Sequence, residues 1–310
     1  MPLLFLFALA LTVGLMAGLI VWRYPRAPAA VTDPTGAAAR KVGKAVGRHP
    51  RLRAVIHARL DATTATGLAM TIALATAIVG GVVLGVLAYL VRTNDSLIDI
   101  DNSVAKWGNR HASAFSMHAL NVVTQLGSIY MIVVLSVALA VVVTRRERTI
   151  WVAAFIVAVV GGQEVITLTV KALVDRLRPT FNPAAATLGP SFPSGHSAAA
   201  AAFYACAALV LGRHAGRAAR AVLTGLAVGI AVAVAASRVL LDVHWLSDVI
   251  GGLALGWGWF AVCAIAFGGR ILRFGATAET AARVADATPA DRDPAHADRS
   301  RSDSMARTNA

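Results

Sequence analysis

Charged residues and cysteines are both scarce in this sequence, and each shortage excludes a class of protein. Only 15% of the 310 residues are charged, whereas 57% are hydrophobic; an ordinary soluble domain carries about 25% charged residues. The two cysteines, Cys206 and Cys263, lie inside apolar segments, where packing is the expected role, so they predict neither a disulfide nor a metal site. The composition indicates a polytopic membrane protein.

Apolar segments long enough to cross a bilayer recur along the chain. A hydrocarbon core of roughly 30 Å requires about 20 apolar residues in a helix. Strand alternation of the kind that builds a membrane barrel is weak throughout. We therefore predict an all-α polytopic membrane helix bundle, with an extra N-terminal transmembrane helix in residues 1–22 and a six-helix domain in residues 67–269. The seven apolar segments are residues 3–22, 67–91, 120–143, 150–170, 195–212, 221–236 and 245–269.

The formal charge of +13 raises nucleic acid as a partner, but its distribution argues against one. Basic residues cluster in short segments between apolar runs, as in cytoplasmic loops that face anionic lipid, and no aromatic residues are interleaved with them. Basic residues follow the first apolar segment and none precedes it, so we predict a retained helix and no signal peptide. Residues 23–66 are a predicted basic cytoplasmic linker, and residues 270–310 a predicted disordered cytoplasmic tail.

Counting the crossings from the basic linker gives a topology in the plasma membrane. Lys171, His196 and His244 fall on the extracytoplasmic side, and the basic turns at Arg145 and Arg217 fall on the cytoplasmic side. Loop charge and the positions of the polar clusters are independent signals. Their agreement predicts a polar site on the extracytoplasmic face.

Three polar clusters reach that face. Charged residues near the hydrocarbon boundary are costly and tend to be paired or functional. Ser194 and Gly195 begin a long apolar run, where the free N–H groups of a helix N-terminus attract an anion. His244 and Asp248 are four residues apart and share a helical face. The clusters are Lys171, Arg176, Arg178 and Pro179, then Ser194, Gly195 and His196, then Ser237, Arg238, His244 and Asp248.

These residue types suit attack on a phosphoryl group. A carboxylate at Asp248 can accept the imidazole N–H of His244, which leaves the other ring nitrogen free as a nucleophile or base. His196 could protonate a leaving oxygen. Spacing typical of metal ligands is not evident, so we predict neither a metal nor a cofactor, and cations surround the phosphate instead. The candidate phosphate-binding residues are Lys171, Arg178, Ser194, Gly195 and Arg238.

The spaced motifs resemble the three-part signature of the type 2 phosphatidic acid phosphatase (PAP2) superfamily. They read Lys171-x6-Arg178-Pro179, Pro193-Ser194-Gly195-His196 and Ser237-Arg238-x5-His244-x3-Asp248. The resemblance implies that His244 forms a phosphohistidine, that Asp248 orients it and that His196 protonates the leaving group. It further implies metal-independent hydrolysis of an amphiphilic lipid phosphate or diphosphate, of the phosphatidate, phosphatidylglycerol phosphate or polyprenyl diphosphate class.

Two other functions fit parts of the sequence. A transporter for an anion or a lipid would use the same cations, although transporter sites usually lie near the bilayer midplane. A catalytically silent scaffold could keep the fold, but the intact signature argues against it. The sequence leaves open which lipid is the substrate and the oligomeric state. Asp175 and Asp242 are candidates to neutralise nearby arginines, and Asp242 is equally a candidate loop cap.

Overall fold

The computed structural model describes residues 2–23, 65–111, 113–180, 182 and 187–271, and these residues form nine α-helices with no strand. The predicted linker and tail lie almost wholly outside this described part, so their predicted roles stay predictions. The helices are α1 (Pro2–Arg23), α2 (Ala65–Thr93), α3 (Asp95–Arg110), α4 (Ala114–Gln125), α5 (Ile129–Glu147), α6 (Trp151–Val174), α7 (Gly195–Gly212), α8 (Arg217–Leu240) and α9 (Leu246–Ile271).

Seven of these helices are long and apolar enough to cross a membrane: α1, α2, α5, α6, α7, α8 and α9. The predicted all-α bundle with seven spans is therefore confirmed. The remaining two helices, α3 and α4, occupy the connection between α2 and α5. Helix α3 carries most of the polar residues of that connection, and its N-terminus is capped by Asn94, whose side chain accepts from the N–H of Leu97 at 2.9 Å.

The prediction of a single span over residues 120–143 was wrong, because the helix breaks at residues 126–128. Ser128 starts α5 as its cap and accepts from the N–H of Met131. Gly127 packs so closely that an added Cβ would lie 2.8 Å from the carbonyl oxygen of His196. The prediction also ended the sixth span too early, at residue 236. Helix α8 continues to Leu240, so Ser237 and Arg238 stand on its last turn.

The two most buried spans are α7 and α9, which pack against each other at the centre of the bundle. Their close approach depends on glycine: a Cβ at Gly252 would lie 2.5 Å from the carbonyl oxygen of Ser194, and one at Gly256 would lie 2.3 Å from that of Ala198. Small residues of this kind let membrane helices approach at backbone distance. Cys206 and Cys263 are free and share one apolar cluster, which confirms their packing role.

The spans place the polar clusters at one end of the bundle and the basic turns at the other. Helices α6 and α8 end, and α7 and α9 begin, at the end that holds the three clusters. At the opposite end, Arg213 forms an ion pair with Glu147, and the guanidinium of Arg217 lies 4.5 Å from the ring centroid of Trp22 on α1. We call the first of these ends the polar end.

Candidate active site

The centre of the polar end is the pair formed by His244 and Asp248. His244 lies in the connection between α8 and α9 and is 2% exposed. Its Nδ1 atom lies 3.2 Å from Oδ2 of Asp248, and its Nε2 atom lies 3.2 Å from Nη1 of Arg178. Because a guanidinium can only donate, Nε2 accepts from Arg178, and the ring proton therefore belongs on Nδ1, directed at the carboxylate.

Burial keeps the His244 ring neutral. Desolvation lowers the pKa of His244 to about 4, although the hydrogen bond and the negative charge of Asp248 act in the opposite direction. Asp248 is itself held in place, since its Oδ2 also accepts from the N–H of Trp245 at 2.9 Å. At neutral pH the Nε2 atom is consequently unprotonated, and its lone pair faces Arg178.

Two cations of the first cluster are anchored by backbone carbonyls of the loop before α7. The Nζ atom of Lys171 donates to the carbonyl of Pro190 at 2.6 Å. Arg178 donates to the same carbonyl at 3.3 Å, to Gly189 at 2.8 Å and to Val243 at 2.7 Å. One carbonyl therefore holds both cations side by side, and both side chains are only partly buried.

The second cluster forms the first turn of α7. Ser194 is the N-cap, and its buried hydroxyl oxygen accepts from the N–H of Ser197 at 3.4 Å and from that residue's hydroxyl at 2.9 Å. At Gly195 an added Cβ would meet only Cγ2 of Thr167, at 3.8 Å. The protein's own packing therefore does not require glycine there, and the position leaves room for a ligand. His196 follows and is partly exposed.

The third cluster meets the other two. The carbonyl of Arg238 accepts from the N–H of Val243 and from that of His244, which folds the α8–α9 connection back over the end of α8. Arg238 is 9% exposed, and its Nη1 donates to the hydroxyl of Thr124 at 3.1 Å. His196 is close enough to four other predicted site residues for their charges to interact: Arg238, His244, Arg178 and Lys171.

The structure thus brings the predicted site residues together at one end of the bundle. Lys171, Arg178, His196 and His244 form its centre, while Ser194 has the capping role expected of a serine before a helix. In this arrangement a neutral imidazole faces three cations and a helix N-terminus. Such a site can bind an anion of high charge and attack it with nitrogen.

Several polar residues of the site were not predicted. Arg176 was placed in the first cluster without a role, yet it bridges Asp101 and Asp248 at 2.8 and 2.7 Å. Thr124 and Ser247 had no motif to mark them. Among the described residues, Asp175 and Asp242 form no ion pair, so their suggested pairing with arginines was wrong. Both adopt positive φ angles at turns instead, 47° and 53° respectively.

Comparison with protein families identifies the segment that carries these motifs. Residues 150–271 match the model of the PAP2 superfamily. This match spans α6 to α9, and it contains every predicted site residue. Helices α1 to α5 precede it.

Comparison with individual proteins finds phosphatases. Phosphatidylglycerophosphatase B of Bacillus subtilis (strain 168) is 29% identical over 176 residues, which cover 55% of this chain and 84% of that protein. Lipid A 1-phosphatase of Rhizobium etli is 32% identical over 122 residues, 36% of this chain but only 48% of that protein. The crystal structure of a transmembrane PAP2 type phosphatidylglycerolphosphate phosphatase from Bacillus subtilis superposes with a TM-score of 0.60 at 28% identity, covering 64% of this chain and 98% of that one.

Proposed function

We propose that this chain, a membrane phosphatase of the PAP2 superfamily, hydrolyses a phosphomonoester or diphosphate of an amphiphilic lipid through a covalent intermediate on His244. The observation that carries the proposal is the two-sided hold on the His244 ring. Nδ1 faces Asp248 at 3.2 Å, while Nε2 faces the cation Arg178 at 3.2 Å. A phosphate that binds Arg178 therefore arrives next to the nucleophilic lone pair.

The first half of the reaction transfers the phosphoryl group to the protein. The Nε2 lone pair of His244 attacks phosphorus, the bond between phosphorus and the ester oxygen breaks, and the leaving oxygen takes a proton from His196. The attacking imidazole gains positive charge while its Nδ1 proton remains directed at Asp248. That carboxylate stabilises the charge and fixes the tautomer, as a buried aspartate does beside a catalytic histidine.

The second half releases inorganic phosphate. His196, now neutral, accepts a proton from a water molecule as the water oxygen attacks phosphorus. The bond between phosphorus and Nε2 breaks, which restores the neutral imidazole of His244 and the protonated form of His196. In both halves the same residue acts in opposite directions, first as an acid and then as a base.

Charge on the phosphoryl oxygens is balanced by the chain's own cations in this proposal. Lys171, Arg178 and Arg238 are cations, and the first turn of α7 adds the backbone N–H group of Gly195. Preorganised donors of this kind stabilise the transition state without reorganisation. We therefore propose that hydrolysis proceeds without a metal ion.

The relatives and the position of the site support the proposed substrate class. The two relatives are named for phosphatidylglycerophosphate and lipid A, both amphiphiles with phosphate in the headgroup. The site lies at the polar end of the bundle, where α6 and α8 end and α7 and α9 begin. In a bilayer, the ends of spans lie at the level of the lipid phosphates. We place the protein in the plasma membrane, with this site on the extracytoplasmic face and the C-terminus in the cytoplasm, as the basic turns favour.

Phosphate release from purified protein tests the proposal. Phosphatidate, phosphatidylglycerol phosphate and a polyprenyl diphosphate are each presented in detergent micelles, with and without EDTA. We expect release from at least one lipid, unchanged by EDTA, and loss of release in His244→Ala. His214→Ala, an exposed histidine at the opposite end of the bundle, is the matched control and should retain full activity.

Each alternative predicts a different result. Activity lost with EDTA would contradict the metal-free mechanism, and full activity in His244→Ala would contradict the covalent one. Anion or lipid flux in reconstituted vesicles without phosphate release would favour a transporter. If folded protein shows no phosphate release and no flux, the result would indicate a silent scaffold.

A further inference from the structure

Three polar side chains, Arg176, Asp101 and Ser247, form a cluster with Asp248. Nη1 of Arg176 donates to Oδ1 of Asp248 and to the hydroxyl of Ser247, each at 2.7 Å. Nη2 of Arg176 donates to Oδ2 of Asp101 at 2.8 Å. Oδ1 of Asp101 accepts from the N–H of Ser247 at 3.0 Å, and the Ser247 hydroxyl donates to Oδ2.

This cluster is buried. Asp101 is 1% exposed and Asp248 is 0% exposed, while the side chain of Arg176 is 10% exposed. Removing an ion pair from water costs about as much as the attraction returns, so a buried pair is weak evidence for a stabilising role. Apolar side chains would fill the same space. The charges therefore suggest a role in the chemistry next to them.

We propose that Asp101 and Arg176 are positioning residues, which hold the Asp248 carboxylate in the orientation that His244 requires. The inference rests on the proposed function, because it assigns these residues to the same reaction. Arg176 binds Oδ1, the carboxylate oxygen that His244 does not use. It thereby prevents rotation of the carboxylate and keeps Oδ2 directed at Nδ1 of His244.

Asp101 has a second effect, on charge. If Arg176 bound Asp248 alone, the pair would be neutral, and the carboxylate would stabilise a positive His244 only weakly. Asp101 shares the guanidinium, so the three groups together carry one negative charge beside the imidazole. This charge opposes that of the cations near Asp248 and His244, namely Lys171, Arg178 and Arg238.

The positioning role gives α3 a function. Asp101 stands on that helix, which precedes the segment that matches the PAP2 superfamily. Through Asp101, α3 is tied to the first turn of α9 at Ser247 and to the loop after α6 at Arg176. With Thr124 on α4, which binds Arg238, the active site would then consist of the matched segment and two helices from outside it.

The isosteric variant Asp101→Asn tests the proposal on purified full-length protein. We expect kcat to fall about 10- to 100-fold, since a small misplacement of a catalytic group has effects of this size. KM should change less than about twofold, because no phosphate-binding residue is altered. Asp99→Asn, an exposed carboxylate on the same helix, is the matched control and should match the wild type. Unchanged kcat in Asp101→Asn would overturn the proposal.

Coupling separates positioning from a general loss of structure. In an Asp248→Asn background, Asp101→Asn should lower kcat by less than about twofold further, because the carboxylate that it positions is already absent. Independent, multiplicative losses would contradict the proposal. If Asp101→Asn fails to fold, Ser247→Ala removes one hydroxyl of the cluster and should lower kcat about threefold or more without raising KM.

A spectroscopic measurement distinguishes failure of this inference from failure of the proposed function. In protein labelled with 15N-histidine, the ring nitrogens of His244, assigned against His244→Gln, report the tautomer without any turnover. We expect a single Nδ1–H tautomer in the wild type and a mixture in Asp101→Asn. If the wild type hydrolyses no lipid, the proposed function is wrong, and this spectrum still decides the positioning role: an unchanged tautomer in Asp101→Asn overturns it.

Discussion

The backbone N–H of Ser194 donates a hydrogen bond of 3.0 Å to the carbonyl oxygen of Asp248. This bond joins the first turn of α7, where phosphate is proposed to bind, to the first turn of α9, which holds the nucleophile in place. The distance between the two halves of the site is therefore set by backbone packing of two central helices. Changes to that packing should reach the chemistry directly.

Gly252→Ala should impair both activity and stability. A Cβ at this position would lie 2.5 Å from the carbonyl oxygen of Ser194 and 3.0 Å from Cβ of Ser197, so α7 and α9 must move apart. Overpacking of this kind costs about 1 to 3 kcal/mol. We expect a lower thermal unfolding midpoint in detergent, together with a decrease in kcat of about tenfold or more.

Gly161→Ala provides the control for that change. It lies on α6, a neighbouring span, and an added Cβ there meets no atom within 4 Å. Its unfolding midpoint and kcat should match those of the wild type. Equal behaviour of the two alanine variants would show that the approach of α7 to α9 does not control the site.

The spans were predictable from sequence because hydropathy is a local property. Apart from the third and the sixth, each apolar segment is about as long as the helix that forms, and loop charge assigned the polar clusters to one end. The break before α5 was missed, although Asn121, Thr124, Gln125 and Ser128 interrupt the apolar residues of the segment 120–143. It arises where Gly127 meets the backbone of His196 and Ser128 supplies a cap, and the first of these contacts is long-range.

The motif residues of the site were predictable because their spacing is local within each of three segments. The residues behind and beside them were not. Asp101 meets Arg176 across 75 positions of sequence, and Thr124 meets Arg238 across 114. Neither pair has a local pattern, and an aspartate on a polar helix usually faces solvent. Only the packing of α3 and α4 against the ends of α8 and α9 brings them into the site.

Thr124→Val should weaken substrate binding. The Thr124 hydroxyl accepts from Nη1 of Arg238 at 3.1 Å, and both side chains are buried. Valine has nearly the same shape but no acceptor, so this guanidinium nitrogen loses its partner and Arg238 loses its fixed orientation. A lost hydrogen bond to a charged group is worth about 1.5 to 3 kcal/mol. We expect kcat/KM for the lipid substrate to fall about tenfold or more.

A threonine on another helix controls for the substitution itself. Thr169 on α6 bonds its own helix, at the carbonyl of Val165, and is exposed. Thr169→Val should leave kcat/KM unchanged. If both valine variants behave like the wild type, Arg238 does not depend on Thr124, and its orientation has another cause.

The neutral state of His244 predicts how activity changes in acid. Burial lowers the pKa of His244 to about 4, and only the neutral ring can attack phosphorus. Activity should therefore persist to about pH 5 and fall as the pH drops through about 4. A phosphomonoester loses its second proton near pH 6, so it remains a monoanion from pH 3 to 5, and the change reports the protein.

The measurement is kcat/KM between pH 3 and 5, with recovery of full activity after return to pH 7 as the test for intact fold. A slope approaching tenfold per pH unit below about pH 4 is expected for one proton. A decrease that starts near the ordinary histidine pKa of about 6.5 would contradict burial of a neutral ring. Asp248→Asn should move the fall in activity to lower pH, since it removes the charge that favours the protonated ring.

Asp242→Asn should stabilise the protein, and more so at high pH. Asp242 is 6% exposed, its Oδ1 atom has no hydrogen-bond partner, and burial raises its pKa from 3.8 to about 6. A carboxyl whose folded pKa exceeds the unfolded value destabilises the fold as the pH rises from about 4 to 6 and beyond. Asparagine carries no charge, and it tolerates the φ of 53° that this turn requires. The free energies of unfolding of the two proteins in detergent should coincide near pH 4 and differ in favour of the variant by about 1 to 2 kcal/mol at pH 7.5. A difference in unfolding free energy that does not change with pH would contradict this prediction. It would show that a partner or a water molecule compensates the Asp242 carboxylate in the folded protein.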